Sequence, residues 1–515
     1  MNCFRPRSIS HHLVSHNRFR QILASMLMVC LANPPLVSAQ SNLPNLGDTE
    51  REILSPLFER KLGEQVMLDL RRDPDYLDDA PVLEYLDRFG NNLVAAFPGA
   101  RGEANYEYTF FAVRDPVLNA FALPGGFVAV HSGLVLAAQT ESELASVVAH
   151  EIGHVAQRHI ARGLGQQKQD SLIPLAAVLL ALVASRSSSD AAFALMEGGQ
   201  GLAIQRQLNF SRDLEREADR VGFQILKEAQ FDTSGMVAFF GRLQTASRGY
   251  TDNVPAYLRS HPLTTERIAD IQGRVREQRY KQRADSFDFN LIRARMRVLQ
   301  DDSVQGLREA EQFFDNQAKQ NSPVLTASAK YGMALIALRQ GQLAKAQTLL
   351  QEAQASAPGN SQNVIFSDLS LDIKLAPNQR PEVVAQAVPE AQAAHLQYPL
   401  SRGIARQLGD ALLVGGSTQE AASYLRDQVQ MYRSEPKLQQ QLAKTYAAQG
   451  KRALQHMALA ESYVLLGSVP AALDQLGLAR RAGDASFYDQ SVIDAREREL
   501  QKRRKEELKE KKEGR

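Results

Sequence analysis

His150-Glu151-Ile152-Gly153-His154 is the stretch on which the reading of this chain turns. It is an HExxH motif, and it follows Glu141-Ser142-Glu143-Leu144-Ala145-Ser146-Val147-Val148-Ala149, good helix formers with apolar residues at 144, 147, 148, 152 and 155. The pattern predicts a helix with a buried face. On such a helix positions i and i+4 share one side, so both imidazoles reach a single metal ion. Glu151 sits one step round, placed to take a proton from an attacking water. This is the sequence form of a zinc-dependent peptide hydrolase.

A catalytic zinc takes three protein ligands and leaves a fourth position for water or substrate. Downstream, Ser211-Arg212-Asp213-Leu214-Glu215-Arg216-Glu217-Ala218-Asp219 continues into Arg220-Val221-Gly222-Phe223-Gln224-Ile225-Leu226 and reads as a second helix carrying acids. Glu215 and Asp219 share a face of it, and Glu217 points elsewhere. Glu215 is the candidate third ligand. Asp219 is a carboxylate able to fix the tautomer and orientation of a ligating histidine. A solvated helix of alternating charge is the plainer meaning of the same acids taken alone.

Tyr106-Glu107-Tyr108-Thr109-Phe110-Phe111-Ala112-Val113 is aromatic and β-branched, hence strand-like, and Pro124-Gly125-Gly126 is a turn before a strand from Phe127 to Val130. An edge strand near a zinc helix can hold an extended peptide by main-chain pairing; an ordinary structural hairpin has the same pattern.

Taken in order, His150, Glu151, His154, Glu215 and Asp219 resemble the gluzincin metallopeptidases that include the CAAX prenyl peptidase and the HtpX-type heat-shock protease. Two further segments carry the resemblance. Asn119-Ala120-Phe121-Ala122-Leu123-Pro124-Gly125-Gly126-Phe127-Val128-Ala129-Val130-His131-Ser132-Gly133-Leu134 is similar to the family's strand-turn-strand ahead of the zinc helix. Ser260-His261-Pro262-Leu263-Thr264-Thr265-Glu266-Arg267-Ile268 is similar to its closing histidine-proline segment. The ordered motifs cover residues 105–275. Beside a His2Glu site, His261 has two roles open: donating a hydrogen bond to the transition-state oxyanion, or occupying the fourth zinc position and excluding water. The need to restrain a protease among unfolded clients favours the second, since a neutral imidazole is a displaceable ligand. A turn histidine with neither role is the remaining reading.

A chain of 515 residues exceeds one typical core, so two or more domains are expected. Its net charge of +2, with 44% apolar and 23% charged residues, is that of a soluble globular protein and makes no case for nucleic acid. Residues 1–39 read as a signal peptide: Arg5, Arg7, Arg18 and Arg20 precede the apolar stretch 22–32, and Val37-Ser38-Ala39 forms a small-residue cleavage site before Gln40. A retained anchor is the alternative, but the apolar stretch is short for a span. Lipid attachment at Cys30 is disfavoured by Val29. Cys3 and Cys30 are the only cysteines and would leave with the leader, giving a thiol-free chain suited to an oxidising compartment. The run 172–184 is apolar, too short to cross a bilayer and has Pro174 near its start, so a buried helix or lid is expected, with at most peripheral membrane contact. Arg186-Ser187-Ser188-Ser189-Asp190 and Glu197-Gly198-Gly199-Gln200-Gly201 flank it with flexible composition.

From about residue 289 the sequence is alanine-rich and helix-periodic. Tyr331, Ala334, Ala337, Gly341, Ala346, Leu350, Ala353 and Pro358 fall at the small-residue, turn-glycine and terminal-proline positions of a tetratricopeptide repeat. Gly409, Gly416, Ala421 and Leu425 form another copy, as do Ala460, Tyr463, Gly467, Ala472, Leu476 and Ala479, while Ala443, Tyr446 and Gly450 suggest a truncated one. Stacked helix pairs bury a continuous core and leave a concave face for a protein partner.

The expected fold is mainly α. After the signal peptide at 1–39 comes an α+β zinc metallopeptidase domain at 40–280, built on the HExxH helix and a small β-sheet. An α/α tetratricopeptide-repeat solenoid follows at 281–484, with its own core, and then a charged C-terminal tail at 485–515, whose end from Arg496 to Arg515 reads as a frayed, solvated helix. The expected chemistry is peptide hydrolysis with one Zn2+ per subunit held by His150, His154 and Glu215, Glu151 as the base and Asp219 orienting a ligand. With the leader and the repeats, the chain resembles most the group of periplasmic beta-barrel assembly-enhancing proteases. That resemblance implies a periplasmic location, unfolded or misassembled protein substrates, chaperone-like activity, and contact with the outer-membrane beta-barrel assembly machinery. The alternative is a repeat-based chaperone or scaffold with a vestigial or structural zinc site, against which the intact Glu151 argues.

Overall fold

Thr109–Val113 (β1), Ala120–Leu123 (β2) and Phe127–His131 (β3) form a three-stranded sheet in the order β1-β3-β2, with β1 parallel and β2 antiparallel to β3. The structure is a computed structural model and describes residues 54–164, 212–248, 256–279, 282–359 and 362–513. The expected signal peptide, Ser211 and the apolar run 172–184 with its flanks lie outside the described residues. The strands are buried on both faces, which is why they read as continuous apolar runs rather than alternating ones. Gly125 and Gly126 close the β2–β3 turn at φ of 79° and 94°, backbone that only glycine adopts without strain.

The outer edge of β1 is already in use. Leu77 N–H donates to the Ala112 carbonyl at 3.1 Å, and Phe110 N–H donates to Asp87 Oδ1 at 3.3 Å. β2 forms the other edge and packs against the HExxH helix.

Pro56–Leu70 (α1) and Ala80–Ala96 (α2) each begin with a side-chain cap, Ser55 and Asp79, and a proline in the first turn. After Ser132–Ala137 (α3), the HExxH helix Glu141–Ala156 (α4) starts where Thr140 Oγ1 accepts from Glu143 N–H at 3.1 Å and Glu143 Oε2 accepts from Gln139 N–H at 2.8 Å, a reciprocal cap. Every residue of α4 is buried. His159–Leu164 (α5), Arg212–Glu228 (α6), Ser234–Arg248 (α7), Ala256–Ser260 (α8) and Thr265–Arg276 (α9) complete the half that carries the zinc motifs.

Helix pairs then follow. Phe287–Gln300 (α10) and Val304–Ala318 (α11) lead into Pro323–Arg339 (α12) and Leu343–Ser356 (α13), then Val364–Lys374 (α14), the short Pro381–Val384 (α15) and Ala387–Gln397 (α16). Arg402–Val414 (α17) with Thr418–Met431 (α18), and Pro436–Ala448 (α19) with Arg452–Leu465 (α20), precede Val469–Arg481 (α21) and Phe487–Glu513 (α22). Gly341, Gly416, Gly450 and Gly467 sit between successive helices at positive φ, the turn positions expected from the sequence. Ala443 and Tyr446 lie on α19, which packs on α20, the helix that carries Ala460 and Tyr463 of the following copy.

Two expectations need correction. Separate cores were expected, yet one buried cluster runs from Leu54 through Leu86, Val130, Leu144 and Phe239 to Leu291, Phe314, Leu350 and Ile373. The reason is α10, which faces both ways: Arg295 donates to both carboxylate oxygens of Asp79 at 2.7 and 2.8 Å and to the Tyr331 hydroxyl at 2.9 Å. Just before α10, the Ser286 hydroxyl donates to Glu141 Oε1 at 2.7 Å. Later repeats also touch the first half, with Gly403 N–H donating to Glu84 at 2.8 Å and Lys437 paired with Asp78 at 2.7 Å. The second correction is the tail. Ile493 and Leu500 of α22 are buried with Ala472 and Leu476, and Arg496 grips both oxygens of Glu461 at 2.8 and 2.7 Å. Two apolar residues seven apart escape notice among the surrounding charges, yet they dock the first half of the helix. No helix among the described residues is long and apolar enough to cross a membrane.

Candidate metal centre

The centre forms where α4 and α6 cross, and small residues set the distance. A Cβ on Gly153 would lie 2.8 Å from the Ala218 carbonyl oxygen, and one on Gly222 would lie 3.0 Å from His150 N. Backbones this close let short acidic side chains on α6 reach the histidines of α4. Gly153 is one of the two unspecified positions in HExxH, and here it is the contact point.

His150 Nε2 lies 2.9 Å from His154 Nε2 and 3.5 Å from Glu215 Oε2, and His154 Nε2 lies 3.6 Å from Glu215 Oε1. His261, carried between α8 and α9, brings Nδ1 to 3.1 Å from Glu215 Oε1 and 3.4 Å from His150 Nε2. These atoms lie within 4.8 Å of one another and all four residues are buried. A tetrahedron of zinc ligands at bond lengths of about 2.0–2.1 Å has edges of about 3.4 Å. The donor set fits zinc in chemistry and in spacing. The sequence names the first three as ligands and His261 for the fourth position, and the four lie together here.

Around this set lies a second layer of hydrogen bonds. Asp219 Oδ1 is 2.9 Å from His150 Nδ1. Arg267 holds Asp219 from behind, with Nε to Oδ2 at 2.6 Å and Nη2 to Oδ1 at 2.7 Å, while its Nη1 lies 2.9 Å from Glu215 Oε2 and donates to the Pro262 carbonyl at 2.7 Å. One guanidinium therefore ties two acids to the segment that carries His261. On the other side, His159 Nδ1 is 2.8 Å from His154 Nδ1, and His159 Nε2 is 3.2 Å from Glu217 Oε2, which also receives Arg162 at 3.1 Å. Glu217 does point away from the metal set, as expected, but it serves the centre through His159. His261 Nε2 lies 3.5 Å from Glu151 Oε1, and the Tyr257 ring packs on the His261 ring with centroids 4.6 Å apart.

Electrostatics follow from burial and these partners. Burial pushes the imidazoles of His154 and His159 down, His159 to about 4, so both stay neutral. At His150 burial works the same way, but hydrogen bonds with Asp219 and Glu215 outweigh it and raise the imidazole to about 9. Burial would raise the Glu215 carboxyl, yet the surrounding His261, His150 and His154 hold it well below the usual range. Asp219 is likewise pulled down against burial by Arg267 and His150. A buried carboxylate that stays ionised beside three imidazoles suits a divalent cation, whose binding releases the proton that His150 otherwise holds.

His159 and Arg267 went unassigned in the sequence. His159 could have been found as a histidine just beyond the motif, and Arg267 as the cation that a buried acidic pair requires.

Residues 83–275 match the model of peptidase family M48. The beta-barrel assembly-enhancing protease of Escherichia coli (strain K12) is 30% identical over 485 residues, which are 93% of this chain and 96% of the relative. The chain belongs to peptidase family M48. A second relative, the beta-barrel assembly-enhancing protease of Yersinia pestis, is 31% identical over 464 residues, 90% of this chain and 92% of its own. The mitochondrial metalloendopeptidase OMA1 of Schizosaccharomyces pombe is 29% identical over 235 residues, 45% of this chain and 61% of its own. This M48 chain is a zinc metalloprotease followed by paired helices.

Proposed function

We propose that this M48 protease uses His150, His154 and Glu215 as its working zinc ligands and keeps His261 in the fourth position at rest. The observation that carries this reading is the placement of one side chain: His261 Nδ1 is 3.4 Å from His150 Nε2 while its Nε2 is 3.5 Å from Glu151 Oε1. A single imidazole thus covers both the position a substrate needs and the base. Zinc bound there supplies a Lewis acid for the scissile carbonyl. Glu151 takes the proton of the attacking water and returns it to the leaving amine, and Asp219 holds His150 in the tautomer that presents Nε2. Glu151→Gln tests the assignment: the variant keeps zinc and fold and loses hydrolysis of an unfolded protein. Undiminished turnover overturns it.

The cellular setting belongs to the same proposal. Relatives named for beta-barrel assembly that align over nine-tenths of the chain support a periplasmic enzyme, with residues 1–39 removed as a leader and misassembled outer-membrane β-barrel proteins as substrates. In this reading, residues 40–280 form the peptidase and 281–484 the repeats that hold clients or the barrel-assembly machinery, a chaperone-like contribution. Recovery of a mature chain beginning at Gln40 in the periplasmic fraction is the expected result; an unprocessed chain in the cytoplasm refutes the location.

A further inference from the structure

Beneath α3, away from the zinc, α10 and α11 face each other across a polar seam. Asn290, Arg293, Ala294 and Arg297 fall at i, i+3, i+4 and i+7 on α10, a face that in a helix pair is ordinarily apolar and interdigitated. Opposite lie Phe313, Asn316 and Gln317 of α11, with Gln320 just beyond its end. The seam does not close. It leaves a cavity of about 210 Å³, roofed by Leu136 of α3.

Two half-buried guanidiniums line this space. Arg293 Nη2 donates to the Leu136 carbonyl at 3.3 Å, but its Nε is buried without a hydrogen-bond partner. Arg297 lies with its guanidinium carbon 3.7 Å over the Phe313 ring, which occupies the face of the group and leaves its N–H edge. Among the described residues neither arginine has a carboxylate within ion-pair distance. The acids nearest Arg293 are engaged elsewhere: Asp285 accepts from Glu141 N–H at 2.7 Å and Glu143 pairs with Arg242 at 2.8 Å. Burial pushes both guanidiniums below their ordinary value. Partly desolvated cations with no ion-pair partner are costly, and an anion is the partner that offsets the cost.

We propose that the cavity between α10 and α11 is a binding site for a small oxyanion, a carboxylate or phosphate group held by Arg293 and Arg297 with Asn316 and Gln320 at its mouth. The fork of a guanidinium matches the paired oxygens of either group, and stacking on Phe313 fixes the fork of Arg297 in advance. The space admits one such group with its neighbouring atoms. The ligand can be a free anion or the carboxylate of a polypeptide.

The test is isothermal titration of the zinc-loaded, full-length protein with inorganic phosphate, at constant ionic strength. Saturable binding is expected, weakened about tenfold to a hundredfold in Arg297→Gln, the usual loss for a charge-assisted hydrogen bond. Gln320 is exposed, so Gln320→Glu leaves the fold intact and places a carboxylate at the mouth; it should compete with the ligand and abolish binding. Phosphate held by the zinc centre would survive both substitutions. Equal binding by wild type and Gln320→Glu, or no binding to wild type, overturns the proposal. An acetylated tripeptide with a free C-terminal carboxylate that displaces phosphate, where its amide does not, identifies a polypeptide source; failure to displace identifies a free anion.

Discussion

His159 Nδ1 lies 2.8 Å from His154 Nδ1, so the second histidine of HExxH is oriented by another imidazole rather than by a carboxylate. The protons are consistent. With Nε2 of His154 turned to the metal set, its Nδ1 carries the hydrogen, His159 accepts it at Nδ1 and donates from Nε2 to Glu217. His159→Ala removes this acceptor, and the expected loss of zinc affinity is about tenfold to a hundredfold. Competition against a chelator of known affinity measures it. Retention equal to wild type would show that the His154 ring is held by packing alone.

His261→Ala opens the fourth position and uncovers Glu151. If the imidazole is a displaceable block, basal hydrolysis of an unfolded protein rises, by about tenfold or more, since the competing ligand is intramolecular. If it instead donates to the oxyanion, the same substitution lowers kcat with little change in KM. Steady-state kinetics of the two proteins separate the roles, and wild-type values of both constants would eliminate both.

Asp368 gives a pH dependence whose sign can be worked out. Its carboxyl is raised well above the usual range by burial and by the neighbouring Asp372, which outweigh Arg295 at 3.4 Å. An acid whose folded value is raised contributes stability below its unfolded value, and that contribution is lost as pH rises through the folded value. Asp368→Asn is therefore expected to raise Tm by a few degrees at pH 8, with Arg295 still paired to Asp79 at 2.7 Å. The advantage should shrink to a small fraction near pH 4, close to the ordinary value of 3.8 at which the unfolded carboxyl is half protonated. Thermal melts across pH 4–8 decide it, and a constant difference would refute the titration.

The zinc helix, the acidic helix and the strand-turn-strand were legible because local chemistry alone specifies them. The i, i+4 histidines, Glu215 with Asp219 and the Pro124-Gly125-Gly126 turn each need only neighbours in sequence. What stayed hidden depends on distant partners. Arg267 looks like any exposed helical arginine until α9 packs on α6 and buries it against Asp219. The apolar share of the docking of α22 comes from Ile493 and Leu500, set among charges. The shared core was missed because α10 begins where the repeats begin, and sequence periodicity assigns it to them although its contacts serve both halves.

That shared core changes what truncation does. A fragment of residues 40–280 ends before α10 and so lacks Phe289, Leu291, Ile292 and Met296, all fully buried. Each such side chain contributes about 1.5–3 kcal/mol, and their sum rivals the roughly 5–15 kcal/mol that holds a whole domain. The fragment also strips Asp79 of Arg295 and Glu141 of Ser286, leaving acids whose desolvation is no longer compensated. It should lack a cooperative melt and retain little zinc. Extending it to residue 374, where the cluster ends at Ile373, restores both partners and the core, and should restore the melt and the metal. Circular dichroism melts and zinc content of the two fragments are the measurement. A cooperative, zinc-loaded 40–280 fragment would mean that α10 is a passenger on the peptidase rather than part of its core.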